Sequence, residues 1–155
     1  MAKRSIELQP LSRQHHNGLF FCLLLEKGVK KNADQILLRD FCMFVWEGDL
    51  QHHFELEETQ LTPLMRYDAL KDGISKMLAE HEAIRQLFQQ NEKKADETVF
   101  IQLYQLVEKH IRFEERELFP LIESVITPNE LHEIGHALQV ETDKNCSAYP
   151  IKFWE

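Results

Sequence analysis

Apolar residues recur along this chain at intervals of three and four, the spacing that lines one face of a helix. Leu37, Phe41, Phe44, Val45, Leu50, Phe54, Leu61 and Leu64 make one stripe. Ile74, Met77, Leu78, His81, Ile84, Leu87 and Phe88 make a second, and Phe100, Leu103, Val107, His110, Phe113, Leu118 and Leu121 a third. Strict alternation is nowhere sustained over a strand length. The pattern predicts a first helix from about Pro10 or Leu11 to Glu26, stopped by Gly28. A second spans about Asp34 to Met65, with Gly48 marking a bend or a close neighbour and Pro63 disturbing the last turns. A third covers about Asp68 to Gln90 and a fourth about Asp96 or Glu97 to Val125. Thr127-Pro128-Asn129-Glu130 reads as a capping box opening a fifth helix that ends near Asp143 to Asn145.

Two helical hairpins in sequence predict an all-α fold, an antiparallel up-down four-helix bundle with a short C-terminal fifth helix. The expected divisions are an N-terminal extension (1–9), the bundle with its added helix (10–145), and an aromatic tail (146–155). That tail, with Tyr149, Phe153 and Trp154, is expected to pack on the bundle or on a partner, another copy of the chain included.

The second helix of each hairpin carries the same phrase. His53-Phe-Glu-Leu-Glu57-Glu58-Thr-Gln-Leu61-Thr-Pro63-Leu64 returns 57 positions later as His110-Ile-Arg-Phe-Glu114-Glu115-Arg-Glu-Leu118-Phe-Pro120-Leu121. Residues four apart on a helix lie within about 40° of one another. Each copy therefore aims one imidazole and one carboxylate in one direction. The first helices repeat more loosely, Leu11 to His15 aligning with Met77 to His81, and both histidines fall on apolar faces. The candidate inner set is His15, His53, Glu57, His81, His110 and Glu114.

Two readings fit six such side chains in a core. They form a hydrogen-bonded polar layer, or they hold metal. An ionised carboxylate buried without a partner costs several kcal/mol, and unbonded imidazole nitrogens cost more. A pair of cations offsets both. Imidazole with carboxylate and no thiolate suits iron or manganese and tolerates zinc. Two trivalent ions against two carboxylates leave excess positive charge, so an oxide or hydroxide bridge is expected.

Composition narrows the partners. A net charge of −8 argues against nucleic acid, which needs a concentrated basic surface, and against anionic membranes. Lys3-Arg4 is followed by no apolar segment of the signal-peptide kind, and the most apolar run, Leu19 to Leu25, is too short to span a bilayer. Three cysteines, Cys22, Cys42 and Cys146, an odd count without paired spacing, fit free thiols in a cytoplasmic protein.

Other signals are discounted. His132-Glu133-Ile-Gly-His136 matches the zinc-protease pattern, but no sheet precedes it and Gly135 weakens the helix. Glu133 to His136 is also a Glu-x-x-His unit, but a ferritin-type site needs two on different helices. His16 and His52 point about 100° away from the neighbouring candidates. Trp46, seven residues before His53, is expected either to wall the pocket or to be a plain core tryptophan. Glu58 and Glu115 are expected to be solvated.

The ordered motifs Gln14-His15, His53 to Leu64, Glu80-His81 and His110 to Leu121 resemble those of the hemerythrin-like, or HHE cation-binding, family. The resemblance covers residues 10 to about 125. It departs at Leu61-Thr-Pro63, where Leu-Phe-Pro is usual, and at Met77, where oxygen-carrying members have a fifth histidine. It implies a non-heme di-iron centre, with Glu57 and Glu114 bridging and His15, His53, His81 and His110 as terminal ligands. It also implies a small ligand, dioxygen, nitric oxide or peroxide. A thioether is a poor ligand for ferric iron, so Met77 argues against reversible oxygen carriage. The alternative is an iron- or oxygen-sensing module whose output is partner docking without turnover.

Overall fold

The computed structural model describes residues 4–139 and 149–155. Those residues are helical with no strand. Helix α1 (Gln9–Lys30) leads through a tight turn to α2 (Gln35–Val45), which Asp34 caps by accepting from the backbone N–H groups of Ile36 and Leu37. A π-helical turn (Trp46–Leu50) joins α2 to α3 (Gln51–Leu61), and a 3₁₀ turn (Thr62–Arg66) leads to α4 (Asp68–Lys93). Helix α5 (Glu97–Phe113), capped by Asp96, runs through a second π turn (Glu114–Leu118) into α6 (Phe119–Val125). Helix α7 (Pro128–Leu138) opens on the expected capping box, with Thr127 and Glu130 satisfying each other's backbone N–H.

Four rods result: α1, the α2–α3 run, α4, and the α5–α6 run. The expected second and fourth helices are each continuous in path but locally widened. Gly48 lies inside the first π turn. Pro63 tightens the end of its rod into 3₁₀ geometry, as a residue lacking an N–H does when it cannot continue an α-helical ladder. Gly28 does not stop α1. The helix continues to Lys30, and Asn32 takes the left-handed position at φ 53°. Gly28 serves close packing instead, since a Cβ there would lie 2.7 Å from the Phe153 ring. The expected end of the fifth helix, near residues 143–145, and Cys146 lie outside the described residues.

The apolar core is in two parts. One gathers Phe21, Phe41, Phe54, Phe88, Phe100 and Leu103 with their neighbours. The other gathers Leu11, Leu61, Ile74, Met77, Phe119 and Ile122. Burying each such aliphatic or aromatic side chain contributes about 1.5–3 kcal/mol, and the two parts lie on either side of a polar layer. The tail packs on the bundle: the rings of Tyr149 and Phe153 lie 5.3 and 4.8 Å from Phe41. Cys22 and Cys42 are buried, and burial pushes the Cys42 thiol well up. Among the described residues no helix is long and apolar enough to cross a membrane.

Trp46 does not wall the polar layer. It stacks on Phe88 at 4.6 Å and meets Phe54 edge-on, and Phe54 in turn stacks on His81 at 4.0 Å. One aromatic ring therefore separates the indole from the nearest imidazole.

Candidate metal centre

Between the two apolar clusters every rod contributes polar side chains at the same level. Helix α1 brings His15, α3 brings His53 and Glu57, α4 brings His81, and the α5–α6 rod brings His110 and Glu114. All six are nearly or fully buried. His53–Glu57 and His110–Glu114 keep the i, i+4 spacing, with Nε2–carboxylate distances of 3.3 Å in both cases. His15 and His81 come from the facing helices: His15 Nε2 lies 2.9 Å from Glu114 Oε1 and 3.5 Å from Glu57 Oε2. His81 Nε2 lies 3.0 Å from Glu57 Oε1 and 3.8 Å from Glu114 Oε2.

The six form two overlapping groups, each with its donor atoms within 4.8 Å of one another. One is His15, His53, Glu57 and Glu114. The other is His81, His110, Glu57 and Glu114. Two imidazoles belong to each group alone, and both glutamates belong to both. That arrangement is consistent with a binuclear metal site.

The donor atoms fit cations better than they fit each other. His15 Nε2, His53 Nε2, Glu57 Oε2 and both oxygens of Glu114 are buried without a hydrogen-bond partner. His15 Nε2 is only 2.9 Å from Glu114 Oε1, yet the pair is not aligned as a hydrogen bond. His81 Nε2 and His110 Nε2 face each other at 3.1 Å. Nitrogens about 2.1 Å from one cation and about 95° apart would be separated by roughly that distance. Buried polar atoms are ordinarily bonded, so five orphans at one point identify a place shaped for something else.

Each imidazole is held from behind. His15 Nδ1 pairs with Glu115 Oε2 at 2.6 Å, His81 Nδ1 with Glu58 Oε2 at 2.7 Å, and His110 Nδ1 with Glu80 Oε1 at 2.7 Å. His53 Nδ1 pairs with the Oε1 of buried Gln14. An acceptor at Nδ1 fixes the proton there and leaves Nε2 with a lone pair directed inward, the tautomer a metal requires. Glu58 and Glu115, expected in solvent, thus reach across to neighbouring rods. Gln14 and Glu80 were visible in the sequence only as the residues preceding His15 and His81.

The second π turn has a local cause and a local result. The Phe119 N–H bonds to the Glu114 carbonyl, one residue further back than in an α-helix. In that register the Glu115 carbonyl would be served by residue 120, and Pro120 has no N–H. Arg4 supplies the missing donor through Nη2 and also pairs with Glu123 at 2.8 Å. Gly18 lets α1 approach the same rod, since a Cβ there would lie 2.7 Å from Ile111 Cδ1.

The two glutamates also favour protonated imidazoles around them. Burial works against charge on His81, but Glu114, Glu57 and Glu58 outweigh it and raise its pKa to about 11. The same contest raises His110 to about 9, through Glu114 and Glu80, and lifts His15 well above the ordinary imidazole value. Burial and the nearby Glu57 push Glu114 up, but His110 and His15 bring it down to about 2. Burial likewise opposes Glu57, and His53, His15 and His81 hold it well below the usual range.

His132, Glu133 and His136 stand exposed on α7 and belong to neither group. His16 and His52 are exposed as well, His52 lying 3.9 Å from Glu55.

The family model for the hemerythrin HHE cation binding domain matches residues 10–122, a span that contains all six inner side chains. No curated protein and no solved structure matches the chain. With most of its length covered by that family model and a buried His/Glu cluster at the corresponding level of every rod, the chain belongs to the hemerythrin HHE cation-binding family.

Proposed function

We propose that the chain is a di-iron protein that binds or reacts with a small oxidant, dioxygen, nitric oxide or peroxide. The supporting observation is the pair of overlapping His₂Glu₂ groups, with five buried donor atoms lacking any other partner. In this reading His15 and His53 hold one ion, His81 and His110 the other, and Glu57 and Glu114 serve both. Iron bound there would supply redox-active coordination of the oxidant; manganese or zinc would fit the same donors but not the same chemistry.

The chain's own residues do the rest. Glu115, Gln14, Glu58 and Glu80 accept from each Nδ1, so that the proton a cation would displace is the one on Nε2 and the four rings stay correctly turned. Phe119, stacked on His15, and Phe54, stacked on His81, exclude water from the two ends of the layer. Met77 is fully buried in apolar surroundings and adds no hard donor. An ion held by His81 and His110 would receive no ligand from position 77 and would take a small molecule instead. Glu115 also lines a surface cavity of 580 Å³ whose walls include Arg4, Leu19, Ile111 and Pro120. It offers an approach from the His15 side.

Anaerobic loading with ferrous iron, metal analysis and admission of air test the proposal. The expected result is two irons per chain and new iron-centred charge-transfer absorption on contact with air. Fewer than two irons with no such absorption would sink it. Turnover of peroxide or nitric oxide separates reaction from sensing: a loaded protein that binds the oxidant without consuming it is a sensor.

A further inference from the structure

The two halves of the metal layer are related by the internal repeat, and one substitution breaks that relation. Gln14-His15 corresponds to Glu80-His81, and His53 with Glu57-Glu58 corresponds to His110 with Glu114-Glu115. The wiring behind the imidazoles follows the same correspondence. His15 is held by Glu115 and His81 by Glu58. Each of these carboxylates carries an arginine: Arg4 lies 3.4 Å from Glu115, and Arg85 lies 2.8 Å from Glu58. Those two arms match in charge. The other two do not. His53 donates to the neutral carbonyl of Gln14, which is buried, whereas His110 donates to the carboxylate of Glu80 at 2.7 Å. Among the described residues Glu80 has no lysine or arginine partner, and its side chain is only 15% exposed.

We propose that Glu80 and Gln14 make the two cation positions unequal, so that the position bounded by His81 and His110 fills first and the one bounded by His15 and His53 fills second. The inference rests on the two-cation reading above. A carboxylate behind an imidazole N–H strengthens the bond and pushes electron density toward Nε2; an amide carbonyl does so less. Glu80 also places a carboxylate without a lysine or arginine partner behind the first position, where the corresponding Gln14 behind the second is neutral. Both effects act in the same direction. At limiting metal the chain would hold one ion, on the α4 and α5 side, and the second would exchange more readily.

The test is anaerobic titration of the metal-free full chain with Co(II), followed by visible absorption and calorimetry. Loss of a partner of this kind typically costs about 10- to 100-fold in metal affinity, so two dissociation constants separated by about that factor are expected. Glu80→Gln should close the gap by weakening the first step. Gln14→Glu should close it by tightening the second, a gain that misfolding cannot produce. Equal constants in the unaltered protein, or a Gln14→Glu variant whose second step does not tighten, would overturn the proposal. Stoichiometry reports separately on the two-cation reading. If only one Co(II) binds, that reading fails, and the asymmetry stands only if the ion is lost in His110→Ala and kept in His53→Ala; any other pattern, or no binding, overturns it.

Discussion

If the polar layer holds two cations, removing them should destabilise the protein by an amount the geometry bounds. Five buried polar atoms lack hydrogen-bond partners in the metal-free layer: His15 Nε2, His53 Nε2, Glu57 Oε2 and both oxygens of Glu114. At about 1–3 kcal/mol for each unsatisfied group, the gross penalty is about 5–15 kcal/mol, comparable with the whole net stability of a domain. Protonation of His81, His15 and His110 relieves part of it by forming ion pairs with the two glutamates. Mass action sets what metal restores. Two ions, each present at about 100 times its dissociation constant, contribute about 2.7 kcal/mol apiece. At about 2–4 °C per kcal/mol for a chain of this size, the melting temperature should rise by about 10–20 °C on anaerobic loading with ferrous or manganous ion and fall back with excess chelator. Differential scanning fluorimetry reads this directly. The competing account, a polar layer that never holds metal, predicts no chelator effect. It still predicts a loss of about 3–5 kcal/mol when His81→Ala breaks the buried pairs. A chelator shift below about 2 °C combined with a large His81→Ala loss would refute the metal argument.

Protons and metal should act in opposite directions as pH rises. In the metal-free protein the raised pKa values of His110, about 9, and His81, about 11, give stability that is complete below pH 6.5 and lost as pH climbs through 9 and then 11. The lowered Glu114, at about 2, gives stability complete above about pH 4.5 and lost as pH falls toward 2. Metal affinity should increase between pH 6 and 8 because binding expels those imidazole protons, measurable as proton release in calorimetry across buffers. Met77→His places an imidazole one turn before His81, at a fully buried position; the spectrum of the iron-loaded protein should shift, and an unchanged spectrum would show that position 77 faces away from the metal. Phe54→Ala removes a ring that is 2% exposed and stacked on His81, and should cost about 3–5 kcal/mol in denaturant unfolding. Thr127→Ala removes the cap of α7 and should cost about 1 kcal/mol by the same assay.

The inner six side chains were legible because the repeat states them twice. A histidine and a glutamate four apart face one way on any helix, and a second copy on another rod leaves few arrangements besides convergence. The outer partners were not legible. Glu58, Glu115, Gln14 and Glu80 are chain neighbours of inner residues and point about 100° off the inner face. A single helix places them toward solvent; only the rod alongside, arriving at the right height, turns that direction into a contact with a neighbouring imidazole. That Trp46 takes the core rather than the pocket wall has a related reason. It lies two turns before His53 along the stripe, and the π turn from Trp46 to Leu50 inserts an extra residue between them, rotating the indole toward Phe88. Gly48 hinted at irregularity there but not at its kind. Glycine often ends helices, which predicts a stop at Gly28, whereas here it admits the Phe153 ring from the tail.

Pro120 and the widened turn before it leave the Glu115 carbonyl dependent on a guanidinium from the opposite end of the chain. The site's geometry is therefore sensitive to how the protein is made. A trimmed version starting at the first helix would lose Arg4 and leave only Ser12 and His15 to hold the Glu115 side chain, with every inner side chain still present.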